Sequence, residues 1–345
     1  MLFEQIATGG CQSYLVGCAA TRAAVLIDPE LSRVDEYRGL IGQLGLHLRY
    51  VVDTHTHADH FSGSRDIGRA LDVPVVMHRF SPAPHAAFRL DEGDLLMAGD
   101  LRLKAIHTPG HTADSMCLLL EDRVFTGDTL LIGGTGRTDL PTGDAHALYE
   151  SLFEKVLTLP PETLVFPAHD YKQRSHSTIA AELADNPRLQ KRTRAEFVAM
   201  MQGLDLTAPT HLTEALRTNM TGAKPVSQLL AEAAAKVPFM SLAELASRVG
   251  SNTCDMVILD LREREAFDAG HVPGAVHLPR GQLELRVNTD LPDPTVKILT
   301  CCEFGKISTL AAATLRELGY LRATALEGGL AAWRDAAYPL SDRAA

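Results

Sequence analysis

The sequence is short of the features that mark several large protein classes. Cysteine is sparse: six in 345 residues, at positions 11, 18, 117, 254, 301 and 302. No two of them have the C-x₂-C spacing of a zinc site. Thiols this few build no disulfide framework, so free cysteines in a reducing cytoplasm are expected. A bridge between Cys301 and Cys302 would need a strained ring. No apolar run approaches the roughly 18 residues that cross a bilayer, which argues against a membrane partner. Positive charge is not concentrated either. Lys and Arg number 33 against 43 Asp and Glu, a net charge of −10, and no long basic block offsets it, so a nucleic acid held by phosphate contacts is excluded. The opening MLFEQIATGGCQSYLVG lacks a basic stretch followed by an apolar core; it reads as the first strands of a domain, not as an export signal. What is present is an ordinary globular composition, 46% hydrophobic and 22% charged, in a chain long enough for two domains.

The first 190 residues alternate short strands with turns and a few helices. YLVG, AAVLIDP, LRYVVDTH, VPVVMH, LRLKAIHTP, MCLLLED, DRVFTGDTL and ETLVFPAH are rich in Val, Leu and Ile and end on Gly, Pro, Asp or His, the composition of strands closed by turns. Helical periodicity occupies LSRVDEYRGLIGQLG, SRDIGRALD and HALYESLFEKVLTL. Sheet layers covered by helices are expected. A polar, helix-prone segment follows, and TGAKPVS has linker composition. From Ser241 onward strands and helices alternate as in a compact α/β domain of ~100 residues with a parallel sheet. The expected organisation is a first domain over 1–220, a linker over 221–240 and a second domain over 241–345.

Within VVDTHTHADHFSG, three histidines and an aspartate fall in six positions: His55, His57, Asp59 and His60. Residues two apart share a face at a strand end but not on a helix, so the cluster belongs to a loop after a strand. His111 in HTPGHTADS, Asp128 in VFTGDTL and His169 in LVFPAHDY also follow apolar strands. One sheet edge can therefore collect ligands that are distant in sequence.

These residues resemble the metallo-β-lactamase superfamily over about residues 1–220, which implies an αββα sandwich with metal at one edge. Two branches use the motif. Hydrolases of the glyoxalase II kind hold two zinc ions and cleave thioesters with nearly all of these residues. Persulfide dioxygenases hold one non-haem Fe(II), a chemistry suited to two His and one carboxylate with open positions. The flanks GGTGRTDLPTGDAHALYESLFEKVLTLP and VFPAHDYKQRSHSTIAAELADNPRL resemble the dioxygenase branch. That resemblance implies one Fe(II) per chain on His55, His111 and Asp128. It leaves His57, Asp59, His60 and His169 to orient those ligands by hydrogen bonds, and makes Arg137, Tyr171, Lys172 and Arg174 contacts for glutathione. Thr135 stands where many relatives carry Cys, and Leu140 where they carry Phe. The glycines of GGTGRT lack the Gly-Lys-Ser/Thr of a phosphate loop.

In the second domain, VKILTCCEFGKISTLAAATLRELG puts a cysteine between a strand and a helix. Backbone N–H groups in such a loop, together with the helix N-terminus, favour the thiolate. Cys301, still on the strand, suits a buried inert thiol. With DLREREAFDAGHVPGAVHLP before it and LEGGLAAW after it, the segment resembles a rhodanese domain. The loop then aligns Cys302 as the nucleophile, with Gly305 and Lys306 lining the substrate site. Ile307 replaces the usual loop arginine, and Glu303 opposes an anionic substrate.

The two resemblances imply a fused sulfur-metabolising enzyme whose partners are glutathione persulfide, glutathione, thiosulfate and O₂. The first domain would oxidise glutathione persulfide to sulfite and glutathione; the second would transfer sulfane sulfur between thiosulfate and glutathione. A glyoxalase II-like thioesterase and a non-catalytic persulfide sensor or carrier are the competing readings. The oligomeric state stays open, with a homodimer among the candidates.

Overall fold

A computed structural model describes residues 1–191, 193–207, 212–250 and 255–341; Cys254 lies outside the described residues. The chain forms two units, Met1–Ala223 and Lys224–Ala345.

The first unit contains two six-stranded sheets. One runs in sequence order through β1 (Leu2–Thr8), β2 (Cys11–Gly17), β3 (Ala23–Ile27), β4 (His47–Val52), β5 (Val75–His78) and β6 (Ala86–Leu90). Its first three strands are antiparallel and its last four, from β3 to β6, are parallel. The other sheet uses β7 (Leu95–Ala98), β8 (Leu101–His107), β9 (Met116–Leu120) and β10 (Arg123–Gly127). After the small hairpin of β11 (Leu130–Leu131) and β12 (Gly134–Thr135), that sheet is completed by β13 (Leu164–Pro167) and β14 (Ser177–Thr178), in the order β14-β13-β10-β9-β8-β7. Only the β10–β13 pairing is parallel in it.

Alternation along the strands builds the layers, because successive side chains point to opposite faces. Tyr14, Val16, Val25 and Ile27 meet Leu103, Ala105, Leu118, Leu120 and Phe125 between the sheets. Their neighbours Leu15, Ala24 and Leu26 point outward onto Tyr37, Ile41 and Ile67 of the helices Val34–Gln43 and Ser64–Leu71. On the far side Ile106, Cys117, Val124 and Val165 pack against Leu148, Leu152 and Phe197. The result is the expected αββα sandwich. The helical stretch starting at Ala145 is not uniform: it widens to a π-turn over Ser151–Lys155 before a final 3₁₀ turn.

The second unit has a five-stranded sheet built from β15 (Phe239–Met240), β16 (Val257–Asp260), β17 (Val276–His277), β18 (Ile298–Cys301) and β19 (Ala323–Leu326). The order is β15-β19-β18-β16-β17, and every pairing is parallel. Parallel strands are buried on both faces. Accordingly Leu259, Ile298 and Ala323 pack with Leu283, Leu315 and Tyr320, whereas Ile258, Leu299 and Leu326 pack with Leu245, Leu330 and Trp333. The segment with linker composition carries a helix, Val226–Ala234, whose N-cap is Pro225. Val237 follows it into contact with Ala312 and Ala325, so residues from Lys224 onward group with the second unit.

Candidate metal centre and cysteine loop

The histidine cluster sits just past the end of β4, as its i, i+2 spacing requires. Asp28 follows β3, Asp128 follows β10 and His169 follows β13. The carboxyl ends of four strands thus converge on one edge of the sandwich. Gly127 makes the convergence sterically feasible: its φ is +51°, and a Cβ there would stand 2.5 Å from Thr54 Oγ1.

Three groups of metal-type side chains result. His55, His111 and Asp128 offer donor atoms within 4.8 Å of one another, and all three are buried. Asp128 Oδ2 lies 3.5 Å from His111 Nε2 and 3.9 Å from His55 Nε2. Both imidazoles are held through their other nitrogen. His111 Nδ1 donates to the Arg137 carbonyl at 2.9 Å, leaving the Nε2 lone pair facing Asp128. Thr54 Oγ1 gives its proton to Asp28 Oδ2 at 2.8 Å and so accepts from His55 Nδ1 at 3.0 Å. His55 Nε2 is then an unprotonated, buried nitrogen with no hydrogen-bond partner. Burial, followed by the neighbouring His57, pushes the His55 pKa down to about 3, so the ring is neutral at pH 7. Neutral imidazoles and an ionised carboxylate are what a divalent metal needs. Burial alone would raise the Asp128 pKa, but His169, His111 and His55 outweigh it and hold the carboxyl well below its usual range. These residues fit a 2-His-1-carboxylate metal.

The remaining cluster residues are largely committed to each other. His57 Nε2 donates to Asp28 Oδ1 at 3.2 Å, and Asp28 also accepts from the Thr54 N–H at 2.7 Å. His169 bridges two carboxylates, Asp128 Oδ1 through Nδ1 and Asp59 Oδ2 through Nε2, each at 2.6 Å. Burial opposes its charge, yet Asp128 and Asp59 raise its pKa well above the ordinary value. His60 leans on Asp59 through Nδ1 at 3.2 Å, and Asp59 with Cys11 carries its pKa up to about 10 against burial. Asp59, His60, His169 and Cys11 form the second group of donors, and Asp28, Asp53 and His57 the third.

A cavity of about 570 Å³ opens over Asp128 and His111, walled by Cys11, Arg137, Tyr171 and Arg188 among others. The expected glutathione contacts divide here. Tyr171 is 74% exposed, with its ring over Gly10, where a Cβ would lie 2.6 Å from it. Arg137 borders the cavity, but its guanidinium is engaged by Asp139 on both faces of the fork and by the carbonyls of Leu206 and Thr207. Arg174 is fixed by Asp170 and the Ile132 carbonyl and lines a neighbouring groove. Lys172 is exposed and outside the cavity wall. The Arg188 guanidinium, by contrast, hydrogen-bonds only Thr135 among the described residues, at 2.6 and 3.2 Å. Among the described residues no carboxylate pairs with it, and burial lowers its pKa unopposed.

In the second unit Cys302 directly follows β18 and is 2% exposed. Its Sγ accepts from the Ser308 N–H at 3.3 Å and lies 3.5 Å from Ser308 Oγ. Gly305, at φ +80°, turns the loop into the helix Lys306–Glu317. A second helix, Gly329–Asp335, holds the loop from the other side, with Leu330 and Ala331 N–H groups donating to the carbonyls of Cys302 and Glu303 at 2.9 Å. Cys301 is fully buried, and burial raises its pKa well above the ordinary value. Lys306 and Ile307 are both exposed beside the loop. Glu303 does not face the loop alone: it pairs with Arg334 and, at 3.4 Å, with Arg262. Its charge is offset, which corrects the expectation that it opposes an anion.

Asp28, Thr54, Cys11, Arg188, Arg262 and Arg334 went unassigned in the sequence. Asp28 was within reach, since AAVLIDP ends a strand in the same manner as the other ligand-bearing segments.

The model of the metallo-beta-lactamase superfamily matches residues 6–169, and that of the rhodanese-like domain matches residues 241–336. The human protein named persulfide dioxygenase ETHE1, mitochondrial, is 42% identical over 211 residues, 60% of this chain and 82% of its own length. The crystal structure of ETHE1 from Myxococcus xanthus is 43% identical, with a TM-score of 0.62, over 64% of this chain and 98% of that one. A metallo-beta-lactamase structure from Staphylococcus aureus spans 95% of this chain and 98% of its own at 24% identity and a TM-score of 0.61, a likeness of fold.

If Asp28 fixes His55 for metal binding, Asp28→Asn should weaken divalent-metal affinity about 10- to 100-fold with the fold retained. Competition with a chromogenic chelator reads this; unchanged affinity would contradict the Asp28–Thr54–His55 relay.

Proposed function

The chain belongs to the persulfide dioxygenase family of the metallo-β-lactamase superfamily and carries a rhodanese-like domain after it; on that premise we propose the following division of labour. The first unit oxidises glutathione persulfide with O₂ and water to glutathione and sulfite. The second moves sulfane sulfur between thiosulfate and glutathione through a persulfide on Cys302. One Fe(II) held by His55, His111 and Asp128 supplies open positions for oxygen chemistry at the sulfur.

The observation that carries the first part is the orphaned, unprotonated His55 Nε2 converging with His111 and Asp128. A dinuclear zinc hydrolase would also use His57, Asp59, His60 and His169. Here one nitrogen of His57 faces Asp28, and His60 and His169 pair with Asp59 and Asp128. His57 Nδ1 and His60 Nε2 are buried without a hydrogen-bond partner, as His55 Nε2 is. The likeness to persulfide dioxygenases favours the mononuclear reading over the thioesterase. The protein's own residues then have distinct tasks. Asp28 and Thr54 set the tautomer of His55, and the Arg137 carbonyl sets that of His111. His169 holds the second oxygen of Asp128, leaving the first turned toward the two imidazoles. Arg188, with unused donors on the cavity wall, offers the charge-assisted contact that a glutathione carboxylate requires. Tyr171, largely exposed, lines the same cavity.

Two features support sulfur transfer at Cys302. Its Sγ accepts from the Ser308 N–H in the first turn of the helix Lys306–Glu317, and the Gly329 turn presses the loop into shape, since a Cβ there would meet the Cys302 carbonyl at 2.5 Å. Cysteines 11, 18, 117, 301 and 302 are all free, in keeping with a reducing, cytoplasmic setting.

Arg188→Ala should raise KM for glutathione persulfide by about 10- to 100-fold, the worth of a hydrogen bond to a charged group, with kcat much less affected. An equal loss in kcat, with KM unchanged, would remove Arg188 from the binding site. Cys302→Ser should abolish sulfur transfer to glutathione while persulfide-dependent O₂ consumption persists, and Asp128→Ala should do the reverse. Loss of both activities in either folded variant would defeat the division of labour.

A further inference from the structure

Cys11 occupies a place that the dioxygenase reaction, as assigned above, does not use. It is the first residue of β2, and the turn before it is stapled to the loop of His169. The Gln12 N–H donates to the Ala168 carbonyl at 2.7 Å, and the Asp170 N–H donates to the Gly10 carbonyl at 2.9 Å. An isolated bridge pairs Cys11 with His169 directly. The thiol is thereby fixed among Asp59, His60 and His169, with all four donor atoms within 4.8 Å of one another. His60 is 8% exposed, and its Nε2 is buried with no hydrogen-bond partner, while its Nδ1 is held by Asp59. Cys11 is also on the wall of the cavity that exposes Asp128 and His111.

No other described cysteine of the first unit shares this position. Cys18 is buried and contacts Asp100 at 3.4 Å, and Cys117 is wholly buried beside Thr108. Cys11 alone among them is part-exposed. A half-open thiol next to an unsatisfied imidazole, inside a cavity that admits a persulfide, has the parts needed for thiol–persulfide exchange.

We propose that Cys11 is a sulfane-sulfur acceptor on the wall of the metal cavity. This rests on the reading of that cavity as a persulfide site. The Cys11 sulfur attacks the outer sulfur of R–S–S–H; a new S–S bond forms on Cys11 as the S–S bond of the substrate breaks. The proton from the Cys11 thiol ends on the departing R–S group, with His60 and His169 both beside the sulfur. One persulfide and one thiol yield one persulfide and one thiol, so no oxidant or reductant is consumed. The reverse step, with glutathione as R–SH, returns the sulfur to the cavity. The first unit can in this way hold one sulfur equivalent while O₂ is absent.

The full-length, metal-loaded protein incubated with glutathione persulfide under strict exclusion of O₂, then alkylated to trap persulfides and digested, tests this peptide by peptide in the mass spectrometer. The Cys11 peptide should carry one additional sulfur atom, which excess glutathione removes, and the Cys18 and Cys117 peptides should carry none. A Cys11 peptide without added sulfur, or labelled no more than those two, overturns the inference. Oxygen uptake by the same preparation separates the two claims. Uptake with unlabelled Cys11 defeats the acceptor role alone, whereas labelled Cys11 without uptake upholds it and defeats the dioxygenase reading.

Discussion

Burial of Asp128 among three imidazoles is the interaction on which the first unit's chemistry depends. A carboxylate withdrawn from water is strongly disfavoured unless it is paired and hydrogen-bonded. Here one oxygen is satisfied by His169 and the other faces His55 and His111. The same constraint propagates outward. His169 needs Asp59 on its second nitrogen, Asp59 draws in His60, and His55 needs Thr54 and Asp28 behind it. Each additional buried polar group thus specifies the next, and the sandwich places them all at the carboxyl ends of its strands. Removing one member leaves another charge buried without a partner, so the edge acts as a unit.

The second unit solves a related problem with backbone. Cys302 is nearly as buried as the metal-type residues, but its stabilisation comes from the Ser308 N–H and from a loop pinned by two helix starts. The charge that accompanies it, Glu303, is answered by Arg262 and Arg334, leaving an uncharged Ile307 at the rim. The two sites share a chemical currency in glutathione persulfide under the proposed function, which gives the fusion its logic.

The layers of both units were legible because strand periodicity is local. The apolar runs in YLVG, AAVLIDP and MCLLLED are strands that the structure buries on both faces, and the turn after each strand flags where ligands gather. Pairing status was not legible, because it is tertiary. Arg137 and Arg188 look alike in sequence, yet Asp139 two residues away neutralises the former and no carboxylate among the described residues reaches the latter. Glu303 looked like a liability until residues 31 and 41 positions distant turned out to hold it. Asp28 ends a strand as the ligand-bearing residues do, but Asp-Pro there is also ordinary turn composition, and contact with Thr54 and His57 is what distinguishes it. The helix Val226–Ala234 lies within the segment from roughly Asn186 to Lys236 that reads as helix-prone, and starts inside the linker-like TGAKPVS.

The central claim is that the cluster at the sheet edge binds one redox metal and not two hydrolytic ones. Metal content of the purified full-length protein, determined together with O₂ uptake on addition of glutathione persulfide, tests it most directly. The account predicts one iron per chain and uptake that depends on the persulfide. Two zinc ions per chain, with thioester hydrolysis and no O₂ uptake, would contradict it.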